Sequence, residues 1–458
     1  MEKIVSNFLE EIGFKDAIDE DQEERVQNWL KWYKGKTEEH EYFVYNGQKR
    51  TKKILKSLNI IPQSCNDLAD FFFNEKLEIT IDNKKANNMI KEVLKANDFL
   101  FNANNLMQLT KALGTGAIIP YLDKGVLKIN YIDATGIIIL EADKHNVKSV
   151  LFWNKTNKKL TINAHILAEE GYIIYNRIYK KNGEEYVQQE IEQKLAELHT
   201  YSQIPKFAML FPPDVNNKDI NSPYGISCFE NAKDTVISID SAYDSLDNEI
   251  TAGRKRIYVK GGAIKFNTDP EGNMTPVFDT TDTTYYQLPG EEKDPMVSYD
   301  TTELRITAIT DALQSQINLY TSKVGLGHEY YKFKDGQAYV NTDNIISSNS
   351  DVYRKIKKQE NIITIAITDL CYAIAELLNI KQKFSVSVDY DDTIIEDTDS
   401  IRKSSQVEYN SRIISKAQYF RNVYNMDEKN AIKFAEKMNN EIKSEQINLS
   451  NEDEPEEE

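Results

Sequence analysis

From residue 226 to residue 252 the chain contains neither glycine nor proline. The stretch opens at "SPYG", where Ser222 is a candidate N-cap and Pro223 suits a first helical turn. It closes on Gly253, Arg254, Lys255 and Arg256, after which Ile257, Tyr258 and Val259 read as a strand. Such a span predicts one helix over 222–251, about 40 Å long at 1.5 Å per residue. Ile226, Phe229, Ala232, Val236, Ile239, Tyr243, Leu246 and Ile250 step by three and four. Phe229, Val236, Tyr243 and Ile250 recur at the heptad spacing, as do Ala232, Ile239 and Leu246, so this helix packs lengthwise against another. Its other faces carry Glu230, Asp234, Asp240, Asp244, Asp247 and Glu249 against Lys233 alone, which leaves one face strongly acidic.

A partner follows. "DTTELRITAITDALQSQINLYTSKVGLG" has a capping-box pair in Asp300 and Glu303 and a stripe of Ile306, Ile309, Leu313, Ile317, Tyr320 and Val324. Gly325 and Gly327 can end it. Between the two helices, residues 252–300 hold short strands and turns such as "DPEGNM" and "QLPGEEKDP". The pair therefore reads as antiparallel, with a β knob at its tip. A third long helix starts near residue 350, its buried side marked by Val352, Ile356, Ile363, Ile367, Leu370 and Ile374. A strand, "KFSVSVDYDD", comes next, then two or three amphipathic helices.

Upstream, residues 1 to about 115 read as helical, with a Pro-broken helix before a strand in "RTKKILKSLNIIPQSCNDLADFFFNEKLEIT". After Gly114, runs such as "GAIIPYLDKGVLKINYIDATGIIILEA" and "LTINAHILAEEGYIIYNRIYKKNGEEYV" predict a small antiparallel sheet packed on those helices.

Composition narrows the function. The net charge of −17 argues against a protein that grips nucleic acid through phosphates, yet leaves open one that lets nucleic acid pass without sticking. No apolar run is long enough for a transmembrane helix, and the N-terminus lacks the charged flank and apolar core of a secretory signal. Cys65, Cys228 and Cys371, odd in number and far apart, read as free buried thiols of a reducing compartment. "SNEDEPEEE" is a short acidic tail, expected to be solvated.

Signatures of catalysis are absent. No phosphate-cradling GxxxxGK[ST], GxSxG or HExxH occurs, and "LGTGAIIP" precedes a strand rather than a helix. His40, His145, His165, His199 and His328 lack partners at metal-ligand spacing, so no metal or other cofactor is expected. Asp389, Asp391 and Asp392 are either a hard-cation cluster or a solvated strand end.

The order of these elements resembles that of the portal proteins of tailed double-stranded DNA bacteriophages, in particular long-tailed phages of Gram-positive hosts. "WLKWYKG" followed by "KSLNIIPQSCNDLADFFFNEKLEI" looks like a segment of that family, as do "LGTGAIIPYLD", "SPYGISCFENAKDTVISIDSAYDSLDNEI" and "SSNSDVYRKIKKQENII". The resemblance implies an α+β, mainly helical, multi-domain portal fold. Its parts would be a wing (1–221), a first stem helix (222–251), a β clip (252–300) and a second stem helix (301–325). A tunnel-loop region (326–349), a long wing helix and strand (350–396), a helical crown (397–450) and the acidic tail (451–458) would follow. It implies a non-enzymatic ring, usually of twelve copies, at one capsid vertex in the virion, assembled in the host cytoplasm. Double-stranded DNA would pass through non-specifically. The implied partners are the terminase large subunit, the head-completion adaptor, and capsid and scaffold proteins; no membrane is involved.

On that resemblance Asp240, Asp244 and Asp247 either line the channel and repel phosphates or simply solvate an outward face. Tyr330, Tyr331, Lys332, Phe333 and Lys334 either touch DNA as a tunnel loop or pack their aromatics on the wing. Arg254, Lys255 and Arg256 either meet the clip's partners or cap the stem helix C-terminus. Two alternatives are a head or scaffold protein with a helical stalk, in which a simple turn would replace the β knob, and a nucleotidyl transferase using Asp389 to Asp392.

Overall fold

The computed structural model describes residues 3–46, 49–183, 185–190, 192–253, 256–260, 266–268, 270–272, 274–276, 285–288, 297–300, 303–332, 350–390, 405–424, 426 and 428–438. The chain is α+β. Helix α1 (Lys3–Glu11) is followed by α2 (Glu20–Tyr33), whose N-cap Asp19 accepts the Gln22 amide at 2.8 Å. An antiparallel ribbon, β1 (Glu41–Asn46) and β2 (Lys49–Ile54), interrupts the helical region, where the sequence reading placed no strand before "KLEIT". Helix α3 (Ile60–Asp70) contains Pro62 in its first turn, where the missing N–H costs nothing, so the proline does not break it. After β3 (Glu78–Ile81) come α4 (Lys84–Ala96) and α5 (Phe99–Leu113), separated at Asp98, whose φ is 47°.

The β-rich region is larger than one small sheet. β4 (Gly116–Asp123) pairs with β5 (Val126–Asp133). β6 (Ile137–Asp143), β7 (Asn146–Lys155), β8 (Lys159–Ala168), β9 (Gly171–Asn182) and β10 (Glu185–Gln188) form an antiparallel meander. After the single turn α6 (Gln193–Ala196), β11 (Glu197–His199) joins β9, and β12 (Ala208–Leu210) returns to β4. Val5, Phe8 and Leu9 of α1 cover one face of the meander, against Leu151, Ile162 and Ala164.

The long helix is shorter than its sequence suggests. α7 spans Lys233–Ala252, 20 residues or about 30 Å, and residues 222–229 are turns. Ser222 does not cap it; its hydroxyl accepts the Tyr224 amide. The cause lies far away in sequence. Gly225 crosses the backbone at Gly114 so closely that a Cβ on Gly225 would sit 2.1 Å from the Gly114 carbonyl oxygen. The Gly225 amide donates to Thr115 Oγ1 and the Cys228 amide to the Lys111 carbonyl, so this segment is committed to the end of α5.

Between α7 and the next helix lie β13 (Arg256–Lys260), β14 (Phe266–Thr268), β15 (Met274–Pro276), β16 (Tyr285–Leu288) and β17 (Val297–Asp300). β13 is central, parallel to β16 and antiparallel to β17, while β14 and β15 form their own ribbon. α8 (Ile306–Val324) starts without a side-chain cap: Arg305 holds the N-cap position, so Asp300 and Glu303 stand ahead of the first turn and do not form the expected capping box. Gly325 ends α8 at a φ of 97°, its amide on the Thr321 carbonyl.

α9 (Ser350–Leu377) buries the expected stripe, and β18 (Val386–Asp389) pairs with β3. One continuous core joins α2, α3, α4 and α5 with Phe229, Val236 and Ile239 at the root of α7, Leu313, Ile317, Tyr320 and Val324 of α8, and the stripe of α9. Residues 405–410, Lys416–Tyr424 and 428–438 are helical, and Phe420, Ala431 and Ala435 form a small separate core. The tail at 451–458 lies outside the described residues.

Candidate functional site

The heptad seam finds its partner in α8. Lys323 Nζ donates to Thr235 Oγ1 at 2.8 Å at one end of the pair. At the other, Glu249 accepts the Arg305 amide at 3.1 Å and its guanidinium at 3.2 and 2.9 Å. Contacts between 235 and 323 and between 249 and 305 make the two helices antiparallel. Those bonds from Arg305 hold the Glu249 carboxyl down at about 2. Burial fades along the seam. Phe229, Val236 and Ile239 are sealed in the core, Tyr243 and Leu246 are half-buried, and Ile250 is 50% exposed. The pair is thus rooted at one end and freer at the end that leads into the five strands.

The root of α7 is held by charge as well as packing. Glu230 Oε2 accepts the Trp29 indole N–H at 2.6 Å and the Lys233 ammonium at 2.6 Å, while Oε1 lies 3.4 Å from Lys218 Nζ. Burial raises the Glu230 carboxyl, but the bonds from Lys233 and Trp29 outweigh it and leave it below its ordinary value. Nearby, the buried Lys111 donates to Gln359 of α9 at 2.8 Å, and burial lowers its ammonium to about 8. Cys65 Sγ and Cys228 Sγ stand 3.8 Å apart as free thiols.

The acidic face of α7 is not open. Asp240 is 0% exposed. Its carboxylate accepts the Leu58 amide at 2.8 Å and the Ser57 hydroxyl at 3.0 Å. His40 Nε2 lies 3.0 Å from it, an ion-pair distance without hydrogen-bond alignment, and the imidazole stands edge-on to Trp32. Burial raises the Asp240 carboxyl above its ordinary value, against the opposing pull of Leu58, Ser57 and His40. Asp244 accepts the Lys56 amide at 3.3 Å and the Asn248 side chain at 2.9 Å, and Asp247 pairs with Lys56 Nζ. All three acids thus face residues 40–58 of the same chain. Asp240 is thus not the exposed acid that its place on a polar helix face suggests: its carboxylate is sealed by two donors and an imidazole.

Tyr330 and Tyr331 take the packing alternative. They are 4% and 9% exposed, their rings edge-to-face at 4.9 Å. Tyr330 also stands edge-on to Phe71 at 6.4 Å, and the Tyr331 hydroxyl donates to Asp67, both from the α3 region. Gln314 of α8 donates to the Tyr331 carbonyl at 2.8 Å. Two rings packed this way are not open for stacking on bases in this chain. Lys332 is half-buried. Phe333, Lys334, Arg254, Lys255, Asp391 and Asp392 lie outside the described residues, as does the side chain of Arg256. Among the described residues no three acidic, His or Cys groups converge on a metal site, and no helix is long and apolar enough to cross a membrane.

The sequence reading missed His40, Ser57 and Leu58 as partners of Asp240, and Trp29 as the partner of Glu230. No local spacing announces contacts across 182 and 201 residues. A family model described as phage portal protein, SPP1 Gp6-like, matches residues 12–447. No curated protein matches the chain.

Proposed function

The chain belongs to the phage portal protein family; we propose that its copies line the conduit at one capsid vertex through which double-stranded DNA is packaged and later ejected. Membership makes it a structural component of the capsid and a subunit of an oligomeric ring. The observation that carries the conduit reading is the antiparallel α7–α8 pair, tied at both ends and separated by five strands. A scaffold protein with a stalk needs only a turn at that point. In this reading residues 252–300 meet the terminase large subunit during packaging and the head-completion adaptor afterwards, with Arg254, Lys255 and Arg256 at the contact.

The acids left for a tunnel wall are the half-exposed Asp244 and Asp247. A ring of such charges repels phosphates, which suits a passage where any attraction would be a trap for moving DNA. Negative-stain imaging and native mass spectrometry of the purified chain should show a ring, twelve-fold in the virion, with an axial hole. A chain that stays monomeric at high concentration in every buffer counts against the reading. D244N/D247N keeps an acceptor for the Lys56 amide but loses the ion pair to its ammonium; in the rings that assemble, it should slow DNA packaging in vitro, and an unchanged rate removes these two acids from the wall.

A further inference from the structure

Among the described residues, no other element covers one face of the β1–β2 ribbon. Its register sets Phe43 opposite Lys52, Tyr45 opposite Arg50 and Glu41 opposite Ile54. These six residues therefore share a side. Phe43, Tyr45 and Ile54 are 53%, 73% and 66% exposed, and all three belong to that side. Among the described residues the ribbon pairs with no other strand. A two-stranded ribbon is marginal in water by itself. This one instead presents apolar side chains and open edges to solvent.

The ribbon is also basic. Four of the five residues 49–53 are Lys or Arg, in a chain whose net charge is −17, and the register puts two of them, Arg50 and Lys52, on the side of Phe43. The Arg50 guanidinium lies 3.7 Å over the Phe43 ring, and Lys52 pairs with Glu41 at 2.6 Å. The ribbon's base is fixed to the stem: the Leu55 amide closes on the His40 carbonyl, and residues 56–58 bond to Asp240, Asp244 and Asp247 of α7. It is therefore an arm carried on the flank of a stem helix.

The geometry points to this face as one half of the contact between neighbouring subunits: its occupant is a second copy of the chain, presenting acidic surface. The inference rests on the ring reading. A closed ring joins two different patches, so one flank must offer something its opposite flank lacks. A basic, aromatic arm on an otherwise acidic subunit is such a patch, by charge complementarity with its own kind. Nucleic acid fits less well. Phosphates do not cover the exposed Phe43, Tyr45 and Ile54, whereas a protein surface does.

The test uses the full chain. R50E/K52E and, separately, F43S/Y45S/I54S should cut the ring fraction at least tenfold in native mass spectrometry at a concentration where the unaltered chain is assembled. Their melting temperatures as monomers should match that of the dissociated parent, because the replaced side chains are exposed. A photo-reactive phenylalanine at position 45 should cross-link to a second copy. Rings that form normally in both variants overturn this interface and leave the ring reading standing. Cross-links only within one chain, or only to added duplex DNA, also overturn it, the latter in favour of a nucleic-acid arm. An unaltered chain that never assembles overturns the ring and the interface together.

Discussion

Asp240→Ala is the perturbation whose outcome the structure fixes most closely. The substitution removes the shared acceptor of the Leu58 amide and the Ser57 hydroxyl and the partner of His40. Stranding a buried donor costs about 1–3 kcal/mol, so two donors set a gross loss of about 2–6 kcal/mol. Part is returned, because the raised carboxyl shows that burying this acid carries its own cost. A net local loss of about 2–4 kcal/mol follows. Global melting is a poor gauge in a chain with more than one core. Amide hydrogen exchange at residues 56–58 reads the junction directly. At a factor of ten per about 1.4 kcal/mol, the Leu58 amide should exchange about 30- to 700-fold faster in the variant. Ser57→Ala alone should give a smaller rise, and the double variant should fall short of the sum of the singles, since they share a bond. Unchanged exchange at Leu58, or strict additivity, would refute the idea that Asp240 anchors this segment.

Three further outcomes follow from other contacts. Asp240→Asn removes a titration rather than a shape. A carboxyl raised on folding contributes stability that is present below its unfolded value, about 4, and lost as pH rises through its folded one, so the parent's advantage over Asp240→Asn in local exchange should narrow as pH rises above the ordinary aspartate range. An advantage that widens with pH would mean that His40 and the donors outweigh burial. Gly225→Ala forces a methyl to 2.1 Å from a backbone oxygen and 2.8 Å from Pro212 Cδ; a loss of about 1–3 kcal/mol or more should appear as a lower melting temperature and poor soluble yield, and normal values would show that the crossing can open. Tyr331→Phe should cost about 1–2 kcal/mol at the contact with Asp67 while leaving the affinity of assembled rings for duplex DNA unchanged in filter binding; weaker DNA binding with intact stability would restore the tunnel-loop role.

The elements legible in the sequence are those whose signal is periodic and local. The stripe of α9, the seam shared by α7 and α8, and the strands after Gly114 all came from spacing alone, because burial of one face imposes a period on consecutive residues. The misread elements have non-local causes or an overlooked signal. "SPYG" looks like a helix start, yet Gly114, more than a hundred residues upstream, holds that segment in turns. Asp300 and Glu303 look like a capping box, yet the helix starts only at Ile306, with Arg305 at the cap position, while Asp300 still belongs to β17. The β1–β2 ribbon did carry a local mark: Asn46–Gly47 between "EYFVY" and "QKRTKKI" is a hairpin turn signal that the helical reading of its surroundings obscured.

The acids of α7 show where reading a helix face from charge alone breaks down. A polar stripe opposite an apolar seam has two physical outlets. It can face water, where each carboxylate is solvated at no structural cost, or it can face backbone N–H groups of another segment that needs acceptors. Composition is the same in both cases. The deciding fact is that residues 56–58 leave β2 with amides that no strand partner takes, and Asp240 and Asp244 are spaced by one helical turn to receive them. The same three acids that suggested a channel wall thus bind a basic arm to the stem. The charge left facing outward is smaller than the sequence implies, because Asp240 is sealed and Asp244 and Asp247 are engaged by Lys56.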